Sequence, residues 1–394
     1  MTAPTPPRVW LLRVFTSLEL TVLLLFLAIL LVFGGTLAQT RLGVWAVQRE
    51  IFHTWFVWAQ LPGTSWLLPV FPGGFLIGSV LLANLIAAHR YRFAFAWRKT
   101  GLLLAHGGLI LLLLGELFAG LWQEDFQLRL ARGETKNYAE SFRHHELALS
   151  DTTDPRFDDV TAIPAELLAR GAAVQHPALP FRIVPRQYHA HALLSLRREA
   201  PGAPPSPASA GFGPQLVVMP LPAPRNDEPP QPAAFIELLG PDGTLGTYLV
   251  SAMPGLPPQT VTVGPRVFTL SLRPTRAYKP FSLQLLELRH DVYPGSEIPR
   301  NFSSRVRLHS ADGQEDREAL ISMNHPLRYG GLTFYQYQMD EAAGYTVLQV
   351  VRNPSWLLPY VSCTLIVLGL LVQFTRNLAR FIAARATPAP RAAP

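Results

Sequence analysis

The sequence is poor in cysteine and in charged residues. Its 394 residues include one cysteine, Cys363, and only 15% are Asp, Glu, Lys or Arg, against about a quarter in ordinary soluble domains. A single cysteine excludes a disulfide scaffold, and the lack of a Cys-x-x-Cys pair excludes dithiol redox chemistry by this chain alone. Charged residues are rarest in apolar blocks near both ends of the chain, which is typical of a membrane protein.

Signatures of nucleotide-dependent and hydrolytic enzymes are also absent. The sequence has no Walker loop, no Gly-x-Gly-x-x-Gly after a strand, no His-Glu-x-x-His and no Gly-x-Ser-x-Gly. The net charge of +7 comes mostly from residues that flank the apolar segments. Since no basic stripe with interleaved aromatic residues is present, we expect this charge to set membrane topology and predict no nucleic-acid partner.

Four apolar segments are long enough to cross the lipid bilayer as helices. They are residues 18–37, 71–88, 101–122 and 356–374. Twenty residues at the helical rise span about 30 Å, the thickness of the hydrocarbon core. The second segment is the weakest because Pro72, Gly73 and Gly74 interrupt its start. The first is longer than the apolar core of a signal peptide, so we expect it to remain as an anchor.

Basic residues flank these segments in three clusters. They precede the first segment, fill the loop between the second and third, and follow the fourth: Arg8, Arg13, Arg90, Arg92, Arg98, Lys99, Arg376, Arg380, Arg385 and Arg391. Four spans place the three clusters on one side, which the positive-inside rule makes the cytoplasm. We therefore expect a multi-pass membrane protein with cytoplasmic termini, and with residues 39–70 and 123–355 on the outer side.

The segment between the third and fourth spans has the pattern of a β domain. Residues 267–272, 281–285 and 304–308 alternate apolar and polar side chains, and Asp-Gly or Pro-Gly pairs separate such runs. Only residues 164–170 look helical, and the Pro/Ala-rich stretch 200–234 is expected to be a loop. The predicted fold therefore has a membrane region at 1–122 with three N-terminal transmembrane helices, a mainly β extracytoplasmic domain at 123–355, and a C-terminal transmembrane helix with a cytoplasmic tail at 356–394.

His106 is the most unusual residue within the spans. It lies in the third span, about 10 Å from the cytoplasmic boundary at Lys99, and an ionisable side chain at that depth faces a partner or a cavity. Gly107 and Gly108 leave room for another helix or a flat ligand. Two interpretations stay open: a hydrogen bond across a helix interface, or an axial ligand to haem iron. Only His89 is available in a facing span, so a second ligand is expected from another subunit.

The remaining polar candidates have weaker signals. Asn84 is expected to form hydrogen bonds between helices, whereas Glu19 and Glu116 stay open between that role and a functional one. His144 and His145 are adjacent and would face opposite sides of a strand. His189 and His191 would share a strand face and could bind a metal ion, but no third ligand is near in sequence, which favours a solvated pair.

Several short motifs carry a resemblance to a known family. They are Ser17–Thr21, Gly35–Gln39, Asn84-Leu85, His106-Gly107, Tyr293–Gly295, Asn301–Ser304, Met323–Gly331 and Phe334–Gln336. With these motifs and its order of spans, the sequence resembles the ResB family, also called CcsB, the membrane component of System II cytochrome c assembly. The resemblance covers nearly the whole chain except residues 150–260. The chain departs from the family after Asn84-Leu85, where many members carry a cysteine and this chain has Ala87-Ala88-His89.

The resemblance implies a concrete function. ResB acts with a ResC (CcsA) partner, and the pair carries haem b transiently across the membrane and presents it to the Cys-x-x-Cys-His motif of apocytochrome c. His106 matches the family's transmembrane haem-ligand histidine and would be the axial ligand to the haem iron. The chain by itself would then not be an enzyme. It would be one part of a holocytochrome c synthase complex, with membrane lipid around its helices.

Two other functions remain as alternatives. The chain could be a structural scaffold that stabilises a haem-handling or respiratory complex without touching haem. A transporter is a weaker alternative, because four spans without inverted repeats form a poor alternating-access core.

The topology is directly testable with reporter fusions. Alkaline phosphatase joined after Trp97 or after Arg385 should be inactive, because these sites are expected in the cytoplasm, whereas a fusion near Gly213 should be active. An inactive reporter near Gly213, with expression verified by immunoblot, would overturn the predicted orientation.

Overall fold

The chain folds into two compact units. A computed structural model describes residues 7–61, 63–64, 66–91, 97–222, 228–296 and 299–386. The membrane unit comprises Met1–Glu124 and Asn353–Pro394, and the β unit comprises Asp125–Arg352.

Helices form most of the membrane unit. In chain order the α-helices are α1 (Pro7–Phe15), α2 (Leu18–Leu42), α3 (Val44–Val47), α4 (Gly74–Tyr91), α5 (Thr100–Trp122), α6 (Ala165–Ala169, in the β unit) and α7 (Leu358–Ala386). By length and composition, α2, α4, α5 and α7 could each cross a membrane. The prediction of apolar helices is therefore confirmed.

The boundaries of the second and fourth segments differ from those expected. Residues 71–72 belong to a short hairpin of strands β1 (Phe56–Gln60) and β2 (Leu67–Pro72), and α4 begins only at Gly74. A Cβ atom at Gly73 would lie 2.1 Å from the Thr54 carbonyl oxygen, so only glycine fits where the strand turns into the helix. At the other end of the chain, α7 continues beyond Phe374 to Ala386.

A seam of glycines joins α5 to α7. Gly101, Gly108 and Gly115 recur every seventh residue of α5 and are buried. A Cβ atom at Gly101 would lie 2.7 Å from the Gly369 carbonyl oxygen, and one at Gly108 would lie 2.7 Å from that of Ser362. Small residues at this spacing let two backbones approach closely, which maximises van der Waals contact where lipid provides no hydrophobic driving force.

Asn84 fastens α4 to the start of α2. Its Nδ2 donates to the carbonyl oxygens of Phe15 at 2.9 Å and Ser17 at 3.1 Å. Its Oδ1 accepts from the Thr21 hydroxyl at 2.6 Å. The predicted interhelical hydrogen bonding of Asn84 is confirmed. Glu19 lies in the first turn of α2, where a carboxylate is favoured by the helix dipole.

The β unit is built on a sheet of ten strands. Its strands are β3 (Glu124–Ala131), β4 (Thr135–Asp151), β5 (Asp159–Pro164), β6 (Arg182–His189), β7 (Ala192–Leu196), β8 (Leu216–Pro220), β9 (Ala233–Gly240), β10 (Gly243–Ser251), β11 (Gln259–Val263), β12 (Arg266–Val292), β13 (Pro299–Ser310), β14 (Asp316–Ser322), β15 (Leu327–Tyr329), β16 (Leu332–Asp340) and β17 (Tyr345–Arg352). The order in the main sheet is β14-β13-β12-β4-β3-β17-β16-β15, with β5 on β4 and β11 on β12. Two small sheets, β10-β9-β6 and β7-β8, complete the unit.

Two long strands pass through two separate cores. Phe268 and Leu270 of β12 lie in one core, and Leu283 and Leu285 of the same strand lie in the other. Strand β4 runs beside β12 in the same way, and their ladder breaks its register between the cores. The alternating pattern read in the sequence is confirmed, since these apolar side chains are buried and their neighbours along the strand are not.

The stretch 200–234 is more structured than its composition suggests. It contains β8, which pairs with β7, and its Ala208 is buried in a third apolar cluster with Leu194 and Phe235. Alanine buries a small side chain at little entropic cost, so an Ala-rich segment packs here despite its many prolines. The short helix expected at residues 164–170 is confirmed as α6.

Neighbouring glycines of α5 provide a matched test of the seam. Gly108→Ala places a methyl group against the Ser362 carbonyl and should lower the stability of the purified protein by about 1–3 kcal/mol. Gly107→Ala meets open space and should be neutral or stabilising, because alanine is the better helix former by about 1 kcal/mol. Thermal unfolding in detergent measures both, and equal effects would contradict the seam.

Candidate functional site

His106 contacts a second histidine from the neighbouring helix. Its Nδ1 lies 3.0 Å from Nε2 of His89 on α4, and the two rings meet edge to face at 85°. His106 is about 9 Å along α5 from Thr100, and His89 is two residues before the end of α4. The pair therefore lies near the end of both helices that the basic loop connects.

The hydrogen-bond chain defines the tautomer of both rings when they are neutral. Nδ1 of His89 lies 2.8 Å from the Leu85 carbonyl oxygen, which only accepts, so this nitrogen carries the hydrogen. Nε2 of His89 then accepts from Nδ1–H of His106. The lone pair of His106 is consequently on Nε2, the nitrogen that points away from this hydrogen bond.

This arrangement fits a histidine that ligates a metal centre. Ligating histidines usually donate their other ring N–H to an acceptor, which orients the ring and raises the basicity of the ligating nitrogen. His89 supplies that acceptor for His106. The described residues leave open space on the Cβ side of Gly107, whereas Gly108 is occupied by the contact with α7. The residues present therefore suit an axial haem ligand.

His89 is placed to orient His106 and not to oppose it across an iron atom. Two axial ligands stand on opposite faces of the haem with the iron between their nitrogens. Here the two ring nitrogens are within direct hydrogen-bond distance of each other. A second axial ligand would have to come from elsewhere, as the sequence suggested.

A second polar pair joins α5 to the linker that precedes β1. Nε2 of His53 is 3.8 Å from Oε1 of Glu116, and the His53 ring stacks on Phe75 at 5.4 Å. A cavity of about 220 Å³ beside them is lined by Gly78 of α4 and Leu113 of α5, among others. Sequence reasoning singled out Glu116 but missed His53, because His53 lies in the linker between spans and no periodicity places it near α5.

Local structure explains the four β-unit histidines that the sequence singled out. His144 is exposed and lies 3.0 Å from Glu166, whereas His145 is buried, so the two rings do face opposite ways. Strand β6 ends at His189 and β7 begins at Ala192, so His189 and His191 do not share one strand. Nδ1 of His191 instead accepts from the Gln231 backbone N–H at 3.1 Å. Within the described residues, no group of three or more His, Cys, Asp or Glu could hold a metal ion.

Comparison with known proteins agrees with the motifs near the end of the β unit. Residues 259–344 match the model of the ResB-like family. The resemblance to the ResB family is confirmed. The ResB-like segment begins with β11 and ends in the turn after β16. It includes the motifs Tyr293–Gly295 and Asn301–Ser304 and the hairpin at Met323–Gly331.

Three relatives are similar over part of the chain. Protein NrfI of Wolinella succinogenes is 35% identical over 114 residues, which are 28% of this chain and 12% of that protein. Cytochrome c biogenesis protein CcsB of a Picosynechococcus species is 35% identical over 81 residues, covering 21% of this chain and 17% of that protein. CcsB of a Synechococcus species is 45% identical over 58 residues, covering 15% and 13%. The chain thus matches less than a fifth of the length of each relative.

The hairpin of the ResB-like segment has the geometry that its glycines suggest. Gly330 and Gly331 have φ angles of 58° and 74°, and Asn324 at the preceding turn has 64°. These left-handed angles favour glycine and tolerate asparagine. Leu332 and Phe334, which follow the turn, are buried in the second core. The turn therefore leads directly into the second core of the β unit.

His145 should make the stability of the β unit depend on pH. Burial, the largest cause, lowers the pKa of His145 below its ordinary value. The unfolded chain therefore takes up a proton at higher pH than the folded chain, and stability is lost as the pH falls below about 6.5. Thermal unfolding of the full chain, followed by circular dichroism, should show this loss between about pH 7 and pH 5.5.

Two variants distinguish this effect from general acid destabilisation. His145→Gln is neutral throughout and should flatten the pH dependence. His176→Gln changes an exposed histidine and should leave the dependence unchanged. A pH dependence that persists in full in the His145 variant would contradict the assignment.

Proposed function

We propose that this chain is the ResB-type component of a cytochrome c assembly complex, in which His106 ligates haem within the membrane unit. The observation that carries the proposal is the chain of hydrogen bonds from Leu85 through His89 to His106. It orients the His106 ring and keeps the lone pair on Nε2, which a haem ligand requires. When bound, haem supplies the iron that this nitrogen ligates and the vinyl groups at which thioether bonds form.

In this proposal the membrane unit holds haem and the β unit engages the protein that receives it. The relatives named CcsB are cytochrome c biogenesis proteins, which supports the same process for this chain. A ResC-type partner would provide the second axial ligand, since His89 is bonded to His106 itself. The β unit would stand outside the bacterial inner membrane and hold apocytochrome c.

The basic clusters support this orientation. Nη1 of Arg376 on α7 donates to the Trp97 carbonyl oxygen at 2.5 Å, just before α5 begins. The start of α5, which the basic loop precedes in sequence, and the basic end of α7 therefore lie at one end of the membrane unit. The positive-inside rule would make that end cytoplasmic and would place His106 on the side where haem is made available.

A structural scaffold remains the second candidate, and one contact favours it. The His89–His106 hydrogen bond joins α4 to α5, and such a bond also serves to hold helices together. In that case haem content would not depend on His106. Its removal would only weaken the unit, by around 1 kcal/mol for one interhelical hydrogen bond.

The two candidates are separated by the haem content of the purified complex. Co-purified with a ResC-type partner, the wild-type chain should show a b-type absorption spectrum, and His106→Ala should lose it while the complex stays assembled. Added imidazole should restore the spectrum in part, because it supplies the missing nitrogen in the vacated space. His89→Leu removes only the acceptor and should weaken haem affinity about 10–100-fold.

A third histidine of the same unit serves as the control. His53 does not contact His106, and His53→Ala should keep the haem spectrum. An unchanged spectrum in His106→Ala would reject the ligand assignment and favour the scaffold. Equal loss of haem in all three variants would indicate general disruption of the membrane unit and would also reject a specific role of His106.

A further inference from the structure

A large cleft opens in the β unit between strands β13 and β16. Strand β13 pairs with β12 and β14, and β16 pairs with β15 and β17, but β13 and β16 face each other without a ladder. The gap between them has a volume of about 1030 Å³. Its lining residues all belong to the ResB-like segment except Tyr345.

One wall of the cleft is an edge of strand β16, where the Gln338 carbonyl oxygen accepts from the side chains of Gln336 and Thr346. Strand β15 pairs only with residues 332–334 of β16. Among the described residues, the rest of β16 has a ladder on its β17 side alone. Such an edge is a template for one more strand. A bulge at Tyr337, where the register with β17 shifts, bends this edge and limits pairing to a short segment.

The other wall is apolar and contains an unsatisfied ring nitrogen. The His290 ring stacks on Phe302 at 4.6 Å, and Met323 lies beside them. Nε2 of His290 is shielded from solvent and has no hydrogen-bond partner among the described residues. A shielded polar atom without a partner is uncommon in native proteins, so this wall is unusual. Met323 and Met339 have flexible thioether side chains that adapt to different apolar partners.

The charge of the cleft decides between classes of ligand. Its charged lining residues are Asp340 and Glu341, and no lysine or arginine lines it. The propionates of a haem would meet these carboxylates, so a porphyrin is disfavoured despite the available volume. A peptide with basic side chains would be attracted, and such complementarity favours the correct partner during encounter.

We propose that this cleft binds one short, extended and basic segment of a partner polypeptide, which adds as a strand beside β16 with its cationic side chains toward Asp340 and Glu341. The proposal deepens the proposed function, on which it rests only for the identity of that partner. It is independent of haem, because the cleft lies wholly in the β unit and His106 lies in the membrane unit.

Peptide binding to the full chain in lipid nanodiscs tests the proposal. A fluorescent ten-residue peptide of alternating Lys and Val should bind and raise the fluorescence anisotropy, whereas its Glu-Val counterpart should not. The Lys-Val peptide with N-methyl groups on alternate residues of one edge should also fail, because it lacks the backbone donors that strand addition requires. Empty nanodiscs correct for binding to lipid.

Matched variants locate the binding. Asp340→Asn with Glu341→Gln removes the two charges and should weaken binding of the Lys-Val peptide about tenfold. Asp158→Asn with Asp159→Asn makes the same charge change at the exposed start of β5 and should have no effect. Equal weakening in both variants, equal binding of the N-methylated peptide, or no binding of the Lys-Val peptide would each overturn the proposal.

The haem spectrum of the same preparations separates this proposal from the proposed function. Peptide binding that survives in His106→Ala supports a cleft that works independently of the membrane site. Peptide binding that is lost in His106→Ala, while the β unit keeps its circular dichroism, would contradict that independence. Failure of the peptide tests with an intact His106-dependent spectrum would overturn only the cleft.

Discussion

Hydrocarbon offers no hydrogen-bond partners, so a polar side chain inside a membrane-spanning helix depends on the protein for its partner. Asn84 meets this constraint through the backbone of the α1–α2 junction, and Ser362 meets it through the Leu358 carbonyl of its own helix. His106 meets it through His89. The bonds of Asn84 and His106 also link separate helices, so they help to determine which helices touch and at what rotation.

The rotation of α5 follows from its glycines. Gly101, Gly108 and Gly115 face α7, and each step along the helix turns the side chain by 100°. His106 precedes Gly108 by two steps, so it points to the side of α5 opposite the seam, where α4 supplies His89. Close packing against α7 and presentation of His106 to α4 are therefore two results of one arrangement. A helix that slipped by one residue would lose both contacts.

Local pattern and long-range contact differ in how far they can be predicted. The alternation in β12 predicted the burial of Phe268 and Leu283, because strand periodicity is a property of neighbouring residues. The depth of His106 in its span was also readable from neighbouring residues, because it follows from the number of residues after Lys99. Neither the Leu85–His89–His106 chain nor the approach of His53 to Glu116 was predictable, because each depends on how separate elements rotate and cross. The strand β8 was hidden by composition, since the prolines and alanines on either side of it resemble a linker.

The connection between the units leads us to expect that the two proposed sites act separately. The chain leaves the membrane unit after α5 and returns before α7, and Nδ2 of Asn353 lies 3.3 Å from Oε1 of Gln123. Because the seam holds α5 beside α7, these two points stay together whatever occupies the β unit. The β unit has its own cores, to which β4 and β12 both contribute. Its packing does not use the residues of the glycine seam. Loss of His106 should therefore leave the cleft beside β16 intact, and loss of the acidic pair there should leave the histidine pair intact, since no single core supports both.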